Sequence, residues 1–179
     1  AEMPEADATA LSERIDAKGN MNGLADPGDL ITFCSDDVDD DGNGYTDDIS
    51  GWDFHNDDND PNDDTDFGHG TGEARWSAAE GNNGIGSIGF CPNCRVLMVR
   101  SGDSFIVDVQ DYAESVVFSV DSGAAIIQEA LGSINHSTFM RRANDYAYAN
   151  DVLIVASAAD ENSFHHNFPG TSNHTLYVH

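Results

Sequence analysis

The sequence predicts an α/β fold: three layers, with a mostly parallel sheet between helices on both faces. Two observations carry this. From Cys94 onward, short apolar runs alternate with segments of helical period, and the links between them are short. Repeated crossovers of that kind are right-handed and lay successive strands parallel. Ahead of them, Asp36 to Asp66 holds fourteen Asp and no Lys, Arg or Glu, which reads as an acidic insert beside the sheet rather than as part of it.

Taken in order, residues 1–14 are polar and Ala-rich, a helix fragment or a frayed end. Leu30–Cys34 is a short apolar run, expected as a short strand closing an N-terminal extension over residues 1–35. Residues 36–66 form the insert, and residues 67–179 the main α/β unit. Glu73–Ala79 reads as a helix and Cys94–Arg100 as a strand. Between Ile106 and Val120 the apolar residues Val109, Tyr112, Ala113, Val116, Val117 and Val120 recur at helical spacing, and Gly123 closes the helix. Ala124–Leu131 is a buried strand. Ser137–Asn150 is a helix with Ser137 as its N-cap. Val152–Ala156 and Thr175–Val178 are the last strands. Functional residues on such a sheet gather at the C-terminal strand ends. Trp52, Trp76 and the other aromatics are expected in the core.

With 33 acidic and 7 basic side chains the formal charge is −26. That balance excludes nucleic acid and anionic membrane surfaces as partners, since both would be repelled. No apolar run approaches the ~18–20 residues that span a bilayer. There is no initiator Met and no signal peptide, so Ala1 reads as a processed or trimmed start. Cys91-Pro92-Asn93-Cys94 is open to three readings: a short disulfide, a reduced buried pair, or half a metal site.

An Asp-only cluster points to a hard cation, above all Ca²⁺, which takes carboxylate and carbonyl oxygens. Asp37, Asp39, Asp41, Gly42, Asn43, Tyr45 and Asp48 occupy positions 1, 3, 5, 6, 7, 9 and 12 of a D-x-D-x-D-G loop. Alternate side chains would converge on one ion, Gly42 permits the bend, and Asp48 closes the shell. Residues 55–64 are a candidate second site. Lys18–Asp29 has similar spacing, but Lys18 in the first ligand position opposes a cation, which favours a relic or a plain turn.

The stretch that organises the rest is Asp66-Phe67-Gly68-His69-Gly70-Thr71. A histidine between two glycines sits where backbone can approach closely and the imidazole stays reachable. The motif resembles the histidine motif of the subtilisin-like serine peptidases, the subtilases. Three further segments share the resemblance: Gly81–Arg95, Glu129-Ala130-Leu131-Gly132-Ser133, and Val155 to Asn162. So does the acidic insert, Asp39 to Phe54. The resemblance implies His69 as the general base. It implies Ala130, Leu131, Gly132 and Ser133, with Ala156, as the strands that pair with an extended polypeptide substrate, and Asp160 at the oxyanion-hole position. It also implies a secreted protein, extracellular or in the cell envelope.

The departures are as informative. A strand ending Asp-Ser/Thr-Gly is absent, and Phe33-Cys34-Ser35-Asp36-Asp37 is the nearest candidate. Gly170-Thr171-Ser172 has the letters of the serine segment but no helix-forming continuation. The family's catalytic Asp, His and Ser come from three separate segments, so the chain reads as the incomplete, central part of a subtilase. Asp160 stands where the family usually has Asn; an ionised Asp cannot donate to an oxyanion, whereas a protonated one can. Two functions follow. One is part of a secreted serine endopeptidase whose Asp and Ser come from other segments of its precursor. The other is a non-catalytic, calcium-stabilised structural subunit held in a larger assembly.

Overall fold

The computed structural model describes residues 5–65, 68–104, 106–133, 135, 137–159 and 167–179. Helix α1 spans Glu5–Asp16 and helix α2 Pro27–Cys34. The second corrects the strand expected at Leu30–Cys34. Asp26 and Asp29 form a reciprocal capping box and Pro27 opens the first turn, and these start signals outrank a five-residue apolar run. In the loop between them Asn20 and Asn22 each donate a side-chain amide to Asp26 Oδ2, at 2.8 and 3.0 Å. Lys18 turns away from that loop, its Nζ 4.9 Å from the Phe33 ring centroid.

Strand β1 is Gly51–Asp53, α3 His69–Ala78, β2 Met98–Arg100, α4 Val109–Asp121, β3 Ile126–Glu129, α5 Thr138–Ala149, β4 Leu153–Ser157 and β5 Thr175–Val178. Every named strand pair is parallel, as expected. The described strands form two sheets rather than one, β1-β2 and β3-β4-β5. Helix α4 joins them: Tyr112, Ala113 and Val116 pack with α5 and β4, while Phe118 joins Trp52, Phe54 and Tyr45 over the other sheet. That second core explains a difference from the spacing argument, which put Val117 inside: Val117 is exposed, and its neighbour Phe118 is buried.

Helices α4 and α5 cover one face of β3-β4-β5. The other face carries Ile126 and Leu153 in register, Val155 with Leu176, and Ser157 with Val178. Ile126, Leu153, Leu176 and Val178 are exposed there. Helix α3 reaches this face where the Ser77 hydroxyl meets Gln128 Oε1. The layering is therefore visible at one dipeptide, Gln128 toward α3 and Glu129 toward Tyr112 of α4. Trp76 of α3 departs from expectation: it is exposed, with Arg75 stacked 5.0 Å from its ring.

Candidate active site

Gly68 starts α3 from a left-handed conformation, φ 57°, which glycine adopts freely. Having no side chain, it cannot cap the helix. Asp63 does so from eight residues upstream of Thr71, accepting the Thr71 amide at Oδ2 (2.9 Å) and the Thr65 hydroxyl at Oδ1 (3.2 Å). Burial raises the Asp63 carboxyl, but the bonds from Thr71 and Thr65 outweigh it and hold it below the ordinary carboxylate range. His69 is the first residue of the helix, its side chain 41% exposed, with Nε2 3.9 Å from Glu73 Oε1 one turn on. The imidazole is thus presented by a capped helix end, neither sealed in a core nor detached from the fold.

Ala130–Ser133 continue β3 past its C-terminal end. Much of this ridge's backbone is already engaged. Leu131 O accepts from Asn167 Nδ2 (3.2 Å), Gly132 O from the Val107 amide (3.1 Å), and Ser133 exchanges two bonds with Phe168. Asn167 Nδ2 also reaches Ser157 O at the end of β4 (2.9 Å). The amide of Asn167 therefore ties two strand ends together, a role the sequence did not signal. Ala156 does not face a substrate: it is 1% exposed and packed in the α4–α5 core. The reason is the period of two along β4, which turns Ile154 and Ala156 inward and Val155 and Ser157 outward. Asp160 lies outside the described residues.

The two serine-peptidase partners missing from the sequence pattern are not replaced by the nearest look-alikes. Cys34 ends a helix and Asp36 follows it on the surface, with its amide on Asp47 Oδ1 at 2.9 Å. Gly170-Thr171-Ser172 forms a turn closed by Ser172 N to Pro169 O (2.8 Å), not the start of a helix. Cys91 and Cys94 are joined as a disulfide, with Cα atoms 5.3 Å apart, which resolves the three readings of that pair.

In the acidic insert the donor set is all oxygen, as Ca²⁺ requires. Asp41 Oδ2 and Asp48 Oδ2 both contact Asn43 Nδ2, at 3.2 and 2.8 Å, so one donor bridges two carboxylates. Both oxygens of Asp39 accept backbone amides, from Gly42 (2.8 Å) and Gly44 (2.9 Å). Asp37 takes a positive φ and donates its amide to Asp47 Oδ2 at 2.9 Å. The Tyr45 ring is turned into the aromatic core beside Trp52, Phe54 and Phe118, so only its backbone faces the loop as a ligand. Among the described residues no three His, Cys, Asp or Glu side chains converge at metal-holding distance. The fit is one of ligand type and of the Asp41–Asp48 pair.

Fold and site together define a parallel α/β unit with an accessible histidine opening a capped helix, and that helix is tied through Ser77 and Gln128 to strand β3. Comparison with known proteins makes this specific. The subtilase-family profile matches residues 7–179, and the chain belongs to the subtilase family. It is 38% identical over 116 residues to a thermophilic serine proteinase of Bacillus sp. (strain AK1), covering 64% of this chain and 28% of that protein. It is 30% identical over 134 residues to thermitase of Thermoactinomyces vulgaris, covering 73% of this chain and 46% of thermitase. Among solved structures it resembles the protease domain of PatA, at 24% identity and TM-score 0.59 over 67% of this chain and 46% of that one, which speaks to the fold alone. A psychrophilic protease gives TM-score 0.53 at 27% identity, over 59% of this chain and 37% of that one. The chain spans less than half the length of the relatives it matches.

Proposed function

We propose that these residues are the general-base portion of a secreted subtilisin-like serine endopeptidase acting on polypeptides. The carrying observation is the placement of His69: first residue of a helix capped by Asp63, partly exposed, on a helix anchored through Ser77 to the strand that runs into the 130–133 ridge. In this reading Nε2 takes the proton of a serine hydroxyl, and the serine and the orienting aspartate are supplied by segments of the precursor outside these residues. On the same reading the ridge groups not used internally pair with substrate backbone, and Asp160 takes the oxyanion-hole position, where donation to an oxyanion would require its protonated form. A fluorophosphonate probe on the complete, natively assembled protein tests this. Labelling is expected, and His69→Ala should lower both labelling and casein hydrolysis by about 10²–10⁴-fold. Absence of labelling in the complete wild-type protein overturns the reading.

One observation favours the second reading, a calcium-stabilised, non-catalytic subunit: Leu131 O, Gly132 O and Ser133 are already hydrogen-bonded within the chain. On either reading we propose Ca²⁺ in the loop Asp37–Asp48, with Asp37, Asp39, Asp41, Asn43 and Asp48 as side-chain ligands and Tyr45 contributing backbone oxygen.

A further inference from the structure

Between the end of β2, helix α4 and strand β3 lies a cavity of about 70 Å³, lined by Ser101, Tyr112, Ser115, Ser119 and Glu129 among others. Glu129 is 5% exposed, and neither carboxyl oxygen accepts a hydrogen bond. The hydroxyls around it have all committed their protons elsewhere. Ser119 donates to Ser115 O (2.7 Å), and Ser115 to Asp111 O (2.6 Å). That leaves Ser101 as the donor in its 2.7 Å contact with Ser115 Oγ. The Tyr112 hydroxyl is near enough to Glu129 to act on its titration, but its proton goes to Asn144 Oδ1 at 2.7 Å. These side chains therefore offer the cavity lone pairs only. No Lys, Arg or His lines it; Arg100, next to Ser101, is engaged by Asp53, Asp64 and Asp103.

A buried carboxyl among acceptors has two ways to avoid an uncompensated charge: keep its proton or gain a cation. We propose that this cavity binds a monovalent metal ion, Na⁺ or K⁺, with the Glu129 carboxylate as its charged ligand and the oxygens of Ser101, Ser119 and Tyr112 completing the shell. Hard oxygen donors suit an alkali ion. One carboxylate balances one positive charge, and the volume admits a bare ion with little water but not a bulky organic cation. Without the ion, burial pushes the Glu129 carboxyl up to about 8. Binding then exchanges a proton for the ion: the carboxylic acid loses H⁺ to solvent and the carboxylate keeps the metal. This does not depend on the chain being part of a working peptidase.

The test is thermal melting of the complete protein in NaCl, KCl and choline chloride at matched ionic strength, at pH 6 and pH 9. At pH 9 one alkali ion should raise Tm above choline by about 3–6 °C, as a tenfold excess over Kd would. The gap should shrink at pH 6, where the proton competes, and vanish in Glu129→Gln. Adding the same ion to unbuffered wild-type protein at pH 7 should release about one proton per chain. Equal melting in all three salts, an ion effect that survives in Glu129→Gln, or no proton release overturns the proposal and leaves Glu129 as a buried neutral acid.

Discussion

Asn167 bridges Leu131 and Ser157: one side-chain amide donates to both carbonyls, 3.2 and 2.9 Å away. The geometry leaves no room beside it. A Cβ on Gly132 would stand 1.8 Å from Asn167 Oδ1. Asn167→Ala should therefore lower stability by about 1–3 kcal/mol, the effect of stranding partly buried carbonyls, and Gly132→Ala should do at least as much by driving the amide off both strand ends. Denaturant midpoints measure this; an unchanged midpoint in both variants would show that the bridge holds nothing.

Asp63 supplies the cap that Gly68 cannot. Replacing it with Ala should cost about 1 kcal/mol, a fall of about 2–4 °C in Tm. Its carboxyl is held below its ordinary range, so its contribution is present above the unfolded pKa and disappears as pH falls through the lower, folded one. The wild-type and Asp63→Ala melting curves should accordingly converge in acid, and a difference that persists at the lowest pH would refute the cap.

Arg100 is paired with Asp53, which is fully buried and also accepts the amides of His55 (2.8 Å) and Asn56 (3.0 Å). Arg100→Met leaves that carboxylate without a cation, and removing one partner of a buried pair costs about 3–5 kcal/mol. Unfolding of Asp53→Asn/Arg100→Met should be milder than that of Arg100→Met alone. If the double variant is the worse of the two, the pair is not what stabilises β1 against β2.

The parallel strands and the helices of the main unit were legible in the sequence because they obey period. Ser137 caps α5, Gly123 takes φ 85°, and β5 falls on Thr175–Val178 as read. His69 was legible because Gly-His-Gly-Thr is local. What stayed hidden is non-local. Helix α2 differs from the strand expected at Leu30–Cys34 because its start rests on the reciprocal cap between Asp26 and Asp29, which lies ahead of the apolar run. Glu129 stands within the run read as a buried strand, but that its carboxyl is left without a hydrogen-bond partner follows only from the packing of α4 against β3. Asn167 carries no motif, since its two acceptors lie 36 and 10 residues away.

Glu129 also sets a dependence on alkali. Its folded pKa of about 8 lies above the ordinary 4.5, so the unfolded chain releases the proton first. In choline buffer, stability should fall as pH rises from about 4.5 through 8, by on the order of 5 kcal/mol in total, and level off beyond. Glu129→Gln should flatten that fall; a wild-type melt indifferent to pH across the window would contradict it.

Calcium should act on the insert alone. With Ca²⁺ at about a hundredfold excess over Kd, Tm should rise by about 5–10 °C, and a chelator should reverse it. Asp41→Asn/Asp48→Asn should abolish the difference, since those two carboxylates already share one donor. A melt unmoved by chelator removes the ion from the loop.

The uncovered hydrocarbon on β3, β4 and β5 has a colloidal consequence. Wherever Ile126, Leu153, Leu176 and Val178 stay bare, copies attract through that patch and repel through a formal charge of −26. The repulsion is long-ranged only in dilute electrolyte, with a screening distance near 10 Å at about 0.1 M. Salt thus works as a dial on clustering, and turbidity should climb with ionic strength until something greasy enough lies down over those strands.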